Sequence, residues 1–217
     1  MVSTASHRTA GADLDTRERL LTHAARLFAE RGFHKVTVRE ISTAAGANVA
    51  SVNYHFGDKM GLYREVLEEA ARIITDMTAE AVRAGQGMPP VERLQAYVHI
   101  HVQHMFKAGP RNRLHQLMHR ELQEPTAMLP SIIDRVWKPR FEYLGSILAD
   151  LLSLPPDDPR VVRSALSIHA QIVLFKPNPA HERMGRPVKR VFVPGDVAEH
   201  IVAFSLAGLD AYRRSSL

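Results

Sequence analysis

"NVASVNYHF", residues 48–56, is the stretch whose reading decides what kind of molecule this is. Val49, Val52 and Phe56 recur at helical spacing and give the segment one apolar face. Asn48, Ala50, Ser51, Asn53, Tyr54 and His55 are left to point outward. A merely solvated helix face is usually rich in charged residues. This one carries small side chains and groups that make directional hydrogen bonds. Such a surface suits a helix that reads a partner, and the flanking chain indicates which.

Upstream, Thr37-Val-Arg-Glu40 places a threonine three residues before a glutamate, the signature of a capping box. It opens a short helix whose inner face is Val38, Ile41 and Ala45. Gly46 breaks that helix, and Asn48 is a suitable N-cap for the next. Farther upstream, Leu20, Leu21, Ala24, Leu27 and Phe28 mark an amphipathic helix that ends at Gly32. Downstream, Gly57 stops the nine-residue segment. Asp58 then caps a long helix through Leu62, Val66, Leu67, Ala70, Ile73 and Ile74. Two short helices joined by the tight turn Ala45-Gly46-Ala47 make a helix-turn-helix.

A helix fits the major groove of B-DNA with its N-terminal residues at the base edges. Ala50, Ser51 and Asn53 are the expected base-facing positions, and Asn48, at the start of the helix, is counted with the DNA-binding residues. Asparagine pairs bidentately with adenine, and alanine touches the thymine methyl. Thr37, Arg39, Tyr54, His55 and Lys59 are placed to hold phosphates on either side. Taken alone, residues 48–56 fit a polar surface helix about as well. The capping box, the glycine turn and the long following helix together favour the DNA reader.

The continuous stretch TRERLLTHAARLFAERGFHKVTVREISTAAGANVASVNYHFGDKMGLYREVL, residues 16–67, resembles the DNA-binding domain of TetR-family transcriptional regulators. The likeness includes "LFAERGF", "TVREISTAAG" and the "YHFGDKMGLY" junction. It departs at Asn53, where many members carry tyrosine, and that departure bears on which operator is read. The resemblance implies an all-α protein. It would be a cytoplasmic homodimer with an N-terminal three-helix DNA-binding domain and a C-terminal helical ligand-binding and dimerisation domain. The expected boundaries are a disordered tail over 1–13, the DNA-binding domain over 14–60 and the effector and dimerisation domain over 61–217.

Composition agrees with that class. The chain has 217 residues, 45% of them hydrophobic and 24% charged, which is ordinary for a globular protein. Its formal charge of +5 favours a polyanionic partner, though only mildly. With no cysteine there is no disulfide framework, zinc-thiolate site or thiol nucleophile. No apolar core of a signal peptide follows the polar first dozen residues, and no run is long enough to cross a membrane.

Beyond residue 90 the pattern predicts helices over 91–107, 111–123, 129–153, 159–176 and 196–213, with proline or glycine at most breaks. Pro139 falls inside a periodic segment and predicts a kink or an earlier break. Residues 177–194, PNPAHERMGRPVKRVFVP, read as a long basic connection. "MHRELQEPTAMLPSIIDRVWKPRFEYLGSILADLL" and "DDPRVVRSALSIHAQIVLF" resemble the C-terminal domain of the CecR-like subgroup of the same family.

Apolar and histidine stripes in this half carry the expected effector pocket: His101, Met105, Arg120, Trp137, Phe141, His169 and Phe175, with Leu166 and Val173 beside them. For each residue singly, plain core packing is the commoner fate. Arg111 and Arg113 join Arg120 as cations that either anchor an anion or face water. His99, His101 and His104, and the pair His115 and His119, have spacings that occur in zinc sites. In a chain with 12 histidines such pairs arise by chance, and neither a metal nor another cofactor is expected.

The resemblance implies that the last two long helices form the dimer interface, here through Ile201, Phe204, Ser205, Gly208, Leu209 and Tyr212. The expected function is a ligand-responsive repressor that binds a palindromic operator and is released by a small molecule. The alternative is an architectural DNA-binding protein with no effector. No nucleophile–base pair or phosphate-binding loop supports an enzyme.

Overall fold

The computed structural model describes residues 4–107, 110–175 and 192–214, and within them the chain is helical with no strand. The helices are α1 (Thr4–Arg31), α2 (Val38–Ala45), α3 (Val49–Phe56), α4 (Lys59–Ala84), α5 (Pro90–Phe106), α6 (Pro110–Gln123), α7 (Leu129–Ile132), α8 (Lys138–Leu152), α9 (Pro159–Leu174) and α10 (Pro194–Arg214). A π-helical turn, Ile133–Trp137, precedes α8. Most of the expected basic connection, and the side chain of Arg111, lie outside the described residues.

Two expectations about extent are corrected. The helix α1 begins at Thr4, so most of the stretch expected as a disordered tail is helical. The segment expected to be one helix over 129–153 is instead α7, the π-helical turn and α8. Pro139 explains the second change. It has no N–H to give to the carbonyl four residues back, and the turn before it is widened rather than α-helical.

The chain divides into two compact units, and the division does not follow the expected boundary after residue 60. The first unit contains residues to Ile73 together with Gly109–Ile132. In it α1 packs on α2, α3 and α6. Leu20, Ala24, Phe28, Val36, Ile41, Val52, Leu62 and Leu67 are fully buried. Tyr63 meets Phe28 edge-on at 4.9 Å and donates its hydroxyl hydrogen to Glu121 at 2.6 Å. Glu121 is fully buried, and its other oxygen accepts from the Thr126 N–H and hydroxyl at 2.8 and 2.7 Å. A buried carboxylate persists only when its oxygens are satisfied, and this one binds α6 to α4 within the unit.

The second unit contains Ile74–Ala108 and Ile133–Leu217. There α5 packs against α8, α9 and α10 around Leu94, Val98, Val102, Leu144, Leu148, Ile168 and Ile201. Pro90 and Pro159 sit in the first turns of α5 and α9, where the missing N–H costs nothing. Asp158 caps α9 by accepting from the Arg160 N–H at 2.8 Å.

Candidate nucleic-acid interface and core cluster

Local chemistry builds the helix-turn-helix. The Thr37 hydroxyl accepts from the Glu40 N–H at 3.2 Å, and the Glu40 carboxylate accepts from the Thr37 N–H at 2.8 Å, closing the capping box. Arg31 donates to the same carboxylate at 2.7 Å. These bonds, that from Arg31 first, hold the Glu40 carboxyl down at about 2. The turn is made by Gly46 at φ 60°, whose N–H returns to the carbonyls of Ser42 and Thr43. Asn48 then starts α3, accepting from the Ala50 N–H at 3.0 Å. At the far end Asp58 accepts from the Gly61 N–H at 2.7 Å and starts α4.

The helix α3 rests on the first unit through Val52 and Phe56. Asn48, Ala50, Asn53 and Tyr54 are exposed, Tyr54 at 76%, and Ser51 is half-buried. These expected DNA-facing residues therefore share one accessible surface. Arg39 on α2 and Thr37, the N-cap of that helix, are also exposed.

Three placements differ from expectation. Val49, expected on the inner face, is 43% exposed and belongs to the outer surface, where a branched methyl pair suits a thymine methyl. The His55 side chain is only 7% exposed, with Nε2 3.3 Å from the Asp13 carboxylate of α1. It is turned inward and fastens α3 to α1 rather than pointing out to a phosphate. The Lys59 ammonium sits 4.3 Å over the Phe33 ring, where burial pulls its pKa down.

In the second unit, Tyr97, His101, Arg140, Trp137, Phe141 and His169 form one chain of contacts. His101 is fully buried, with Nδ1 2.7 Å from the Tyr97 carbonyl and its ring 4.0 Å from that of Tyr97. Burial, then the nearby Arg140 charge, keep His101 well below its ordinary pKa. Arg140 donates from Nε to the Tyr97 hydroxyl at 3.2 Å and lies 5.9 Å from the Trp137 ring. His169 meets Trp137 and Phe141 edge-on, both at 5.2 Å. Met105 is buried in the same unit.

Other expected pocket residues lie elsewhere. Arg120 belongs to the first unit, where it donates to the Glu30 carbonyl at 3.2 Å and pairs with Glu124. Phe175 packs on His200 at 5.5 Å, and Leu166 is 53% exposed. An open recess of about 440 Å³ is lined by Ser146, Ala149, Asp150, Ser153, Leu154 and Pro156, none of them an expected pocket residue. Among the described residues no group of three or more histidine, aspartate or glutamate side chains is gathered to hold a metal.

Sequence reasoning missed Arg140, although its spacing was informative. It falls three residues after Trp137 and four before Leu144, on the apolar stripe of α8.

The expected dimer residues split between two faces of α10. Ile201, Ser205 and Leu209 are buried in the core of their own unit, so they are not an outward face. Phe204, Gly208 and Tyr212, also four apart, are exposed. Val162 and Leu166 are exposed apolar positions on α9.

The family model of the bacterial regulatory proteins of the tetR family matches residues 20–66. That of the C-terminal domain of the HTH-type transcriptional dual regulator CecR matches residues 90–209. The chain is 25% identical to the CecR regulator of Shigella flexneri over 168 residues, 74% of this chain and 75% of that protein. Its fold is similar to that of the hemolysin II regulator HlyIIR, with a TM-score of 0.64 at 21% identity over 88% of this chain and 97% of that one. It is also similar to AibR in complex with isovaleryl coenzyme A and operator DNA, with a TM-score of 0.63 at 19% identity over 87% and 97%.

Proposed function

Because this chain belongs to the TetR family of bacterial transcriptional regulators, with a CecR-type C-terminal domain, we propose that it represses transcription by binding a two-fold-symmetric operator as a homodimer, and that a small organic molecule releases it. The observation that carries the DNA reading is the outer surface of α3. Asn48, Val49, Ala50 and Asn53 are exposed on a helix capped by Asn48 at its start and ended by Gly57, whose N–H donates to the Asn53 carbonyl. Small side chains admit close approach to the bases, and the amides supply sequence-dependent hydrogen bonds. Arg39 and Tyr54 contact phosphates and fix the register, while both donors of Thr37 are taken by Glu40.

The homodimer reading is supported by the exposed apolar stripes of α9 and α10, Val162 and Leu166 with Phe204 and Tyr212. A self-complementary contact there relates two copies by a two-fold axis. Two α3 helices then meet half-sites about 34 Å apart. In the effector-bound state α4 moves, the spacing of the two reading helices no longer matches the operator, and the DNA is released. Linkage makes the effect reciprocal: operator DNA weakens effector binding by the same factor. AibR, of the same fold, was captured with both an acyl-coenzyme A and operator DNA. The site of action is the cytoplasm, and among the described residues no helix is long and apolar enough to cross a membrane.

The test is fluorescence anisotropy on operator duplexes, with and without candidate effectors. Sequence-specific binding that falls when an effector is added supports the proposal. Specific binding that no small molecule changes would point to an architectural DNA-binding protein instead.

A further inference from the structure

We propose that the effector is a monocarboxylate with an apolar body and a hydrogen-bond donor, bound by Arg140, Trp137 and His101 in the core of the second unit. The inference rests on the ligand-controlled reading above and names the chemistry of its ligand.

Arg140 is 3% exposed. A buried charge is stable only when paired, and guanidinium carries five N–H donors. Among the described residues Arg140 has one hydrogen bond, to the Tyr97 hydroxyl, and the face of Trp137 at 5.9 Å, with no carboxylate beside it. The hydroxyl and the ring offset part of the desolvation but leave the positive charge without a counterion.

Two further buried groups in the same chain of contacts lack partners. The Trp137 indole N–H has no acceptor. The His101 Nε2 atom has no hydrogen-bonding partner either. Its Nδ1 lies 2.7 Å from the Tyr97 carbonyl, which can only accept, so the hydrogen of the neutral ring is on Nδ1 and Nε2 holds a lone pair. Burial and Arg140 both keep that ring neutral.

The unused groups are therefore a cation, a donor and an acceptor. Their complement is an anion with two acceptor oxygens and an O–H or N–H nearby. A carboxylate takes Arg140 and the Trp137 N–H on its oxygens, and a hydroxyl or amide elsewhere on the ligand donates to His101. Charge decides between carboxylate and phosphate. One guanidinium beside a neutral imidazole matches one negative charge, and a phosphate dianion would leave one uncompensated. Phe141 lies 6.3 Å from Trp137 and 5.2 Å from His169, so apolar rings surround the rest of the molecule.

The experiment is a thermal-shift titration of the full-length protein with benzoate, 4-hydroxybenzoate, isovalerate and 2-hydroxyisovalerate, the matching amides, and inorganic phosphate. At least one carboxylate raises the Tm of the wild type by about 3 °C or more near saturation. The amides and phosphate do not. Arg140→Met loses the response, yet without ligand it is at least as stable as the wild type, because an unpaired buried charge is gone. Trp137→Phe keeps an aromatic ring there, removes the N–H and weakens binding about tenfold, so the proposal remains testable if the Arg140 variant fails to fold.

Equal shifts from amides and carboxylates, equal shifts in the wild type and both variants, or no shift from any carboxylate would overturn the assignment. Anisotropy on the operator separates the two readings. A carboxylate that binds through Arg140 but does not release DNA leaves the site standing and sinks ligand control. A neutral molecule that releases DNA while no carboxylate binds does the reverse.

Discussion

Replacing Gly61 by alanine tests how the reading helix is held. The turn between α3 and α4 brings Gly61 against the last residue of α3. A Cβ built there lies 1.9 Å from the Phe56 carbonyl oxygen and 3.1 Å from its carbon. Real Cβ atoms essentially never come within 3.0 Å, so the contact is more than 1 Å too short. The obstacle is backbone, which cannot rotate away as a side-chain tip does. The Gly61 N–H also donates to the Asp58 cap, so relief must displace the cap, the end of α3, or both. Overpacking of a side chain costs about 1–3 kcal/mol. A clash with main chain, together with a disturbed cap, belongs at the upper end, about 3 kcal/mol or more.

For a chain of this size that corresponds to a fall in Tm of about 6–12 °C if unfolding is two-state. Gly46→Ala is the control. A Cβ there meets nothing within 4 Å, but φ is +60°, so the cost is conformational alone and comes to about 1–2 kcal/mol. Circular dichroism on heating gives stability, and anisotropy on operator DNA gives function. Gly61→Ala is expected to lose more stability than Gly46→Ala and to bind specific DNA poorly even where it remains folded. A Gly61→Ala protein as stable as the wild type would refute the packing described for the α3–α4 junction.

Three further outcomes are expected. Asn53→Ala costs about 1–3 kcal/mol and relaxes preference at one or two base pairs, read by binding to a set of singly substituted operators. Arg39→Ala weakens binding to all sequences alike and lowers the salt slope by about 1; a loss confined to one base pair would make Arg39 a base reader instead. Glu40 responds to acid. Its folded carboxyl lies at about 2 against an ordinary 4.5, so its contribution is complete above about 4.5 and is lost as pH falls toward 2. Glu40→Gln should flatten that limb of a plot of Tm against pH, and parallel curves would show that the capping box does not stabilise the fold.

The helix-turn-helix was readable because short-range bonds make it. Thr37 with Glu40, Gly46, Asn48 and Asp58 each act within about three residues, and each does locally what its type and spacing suggest. What could not be read depends on distant neighbours. His55 looks like a phosphate ligand until Asp13, on α1, is beside it. The segment after residue 109 looks like part of the second half until α6 packs along α1 and Glu121 meets Tyr63.

Periodicity also leaves a choice of face where two stripes are apolar. On α10 both 201-205-209 and 204-208-212 qualify, and only packing shows that the first is inward. Arg140 was missed for a different reason. Arginine is expected at the surface, and that expectation outweighed its place on the apolar stripe of α8.

The most direct measurement is selection of bound duplexes from a random DNA pool by the purified protein, repeated with Asn53→Ala. If α3 reads an operator, the wild type enriches one sequence with two-fold symmetry and half-sites about one helical turn apart, and the variant changes the preference within the half-sites. Binding to all duplexes alike, with no enriched sequence, would contradict a sequence-reading regulator and leave only a salt-dependent DNA binder.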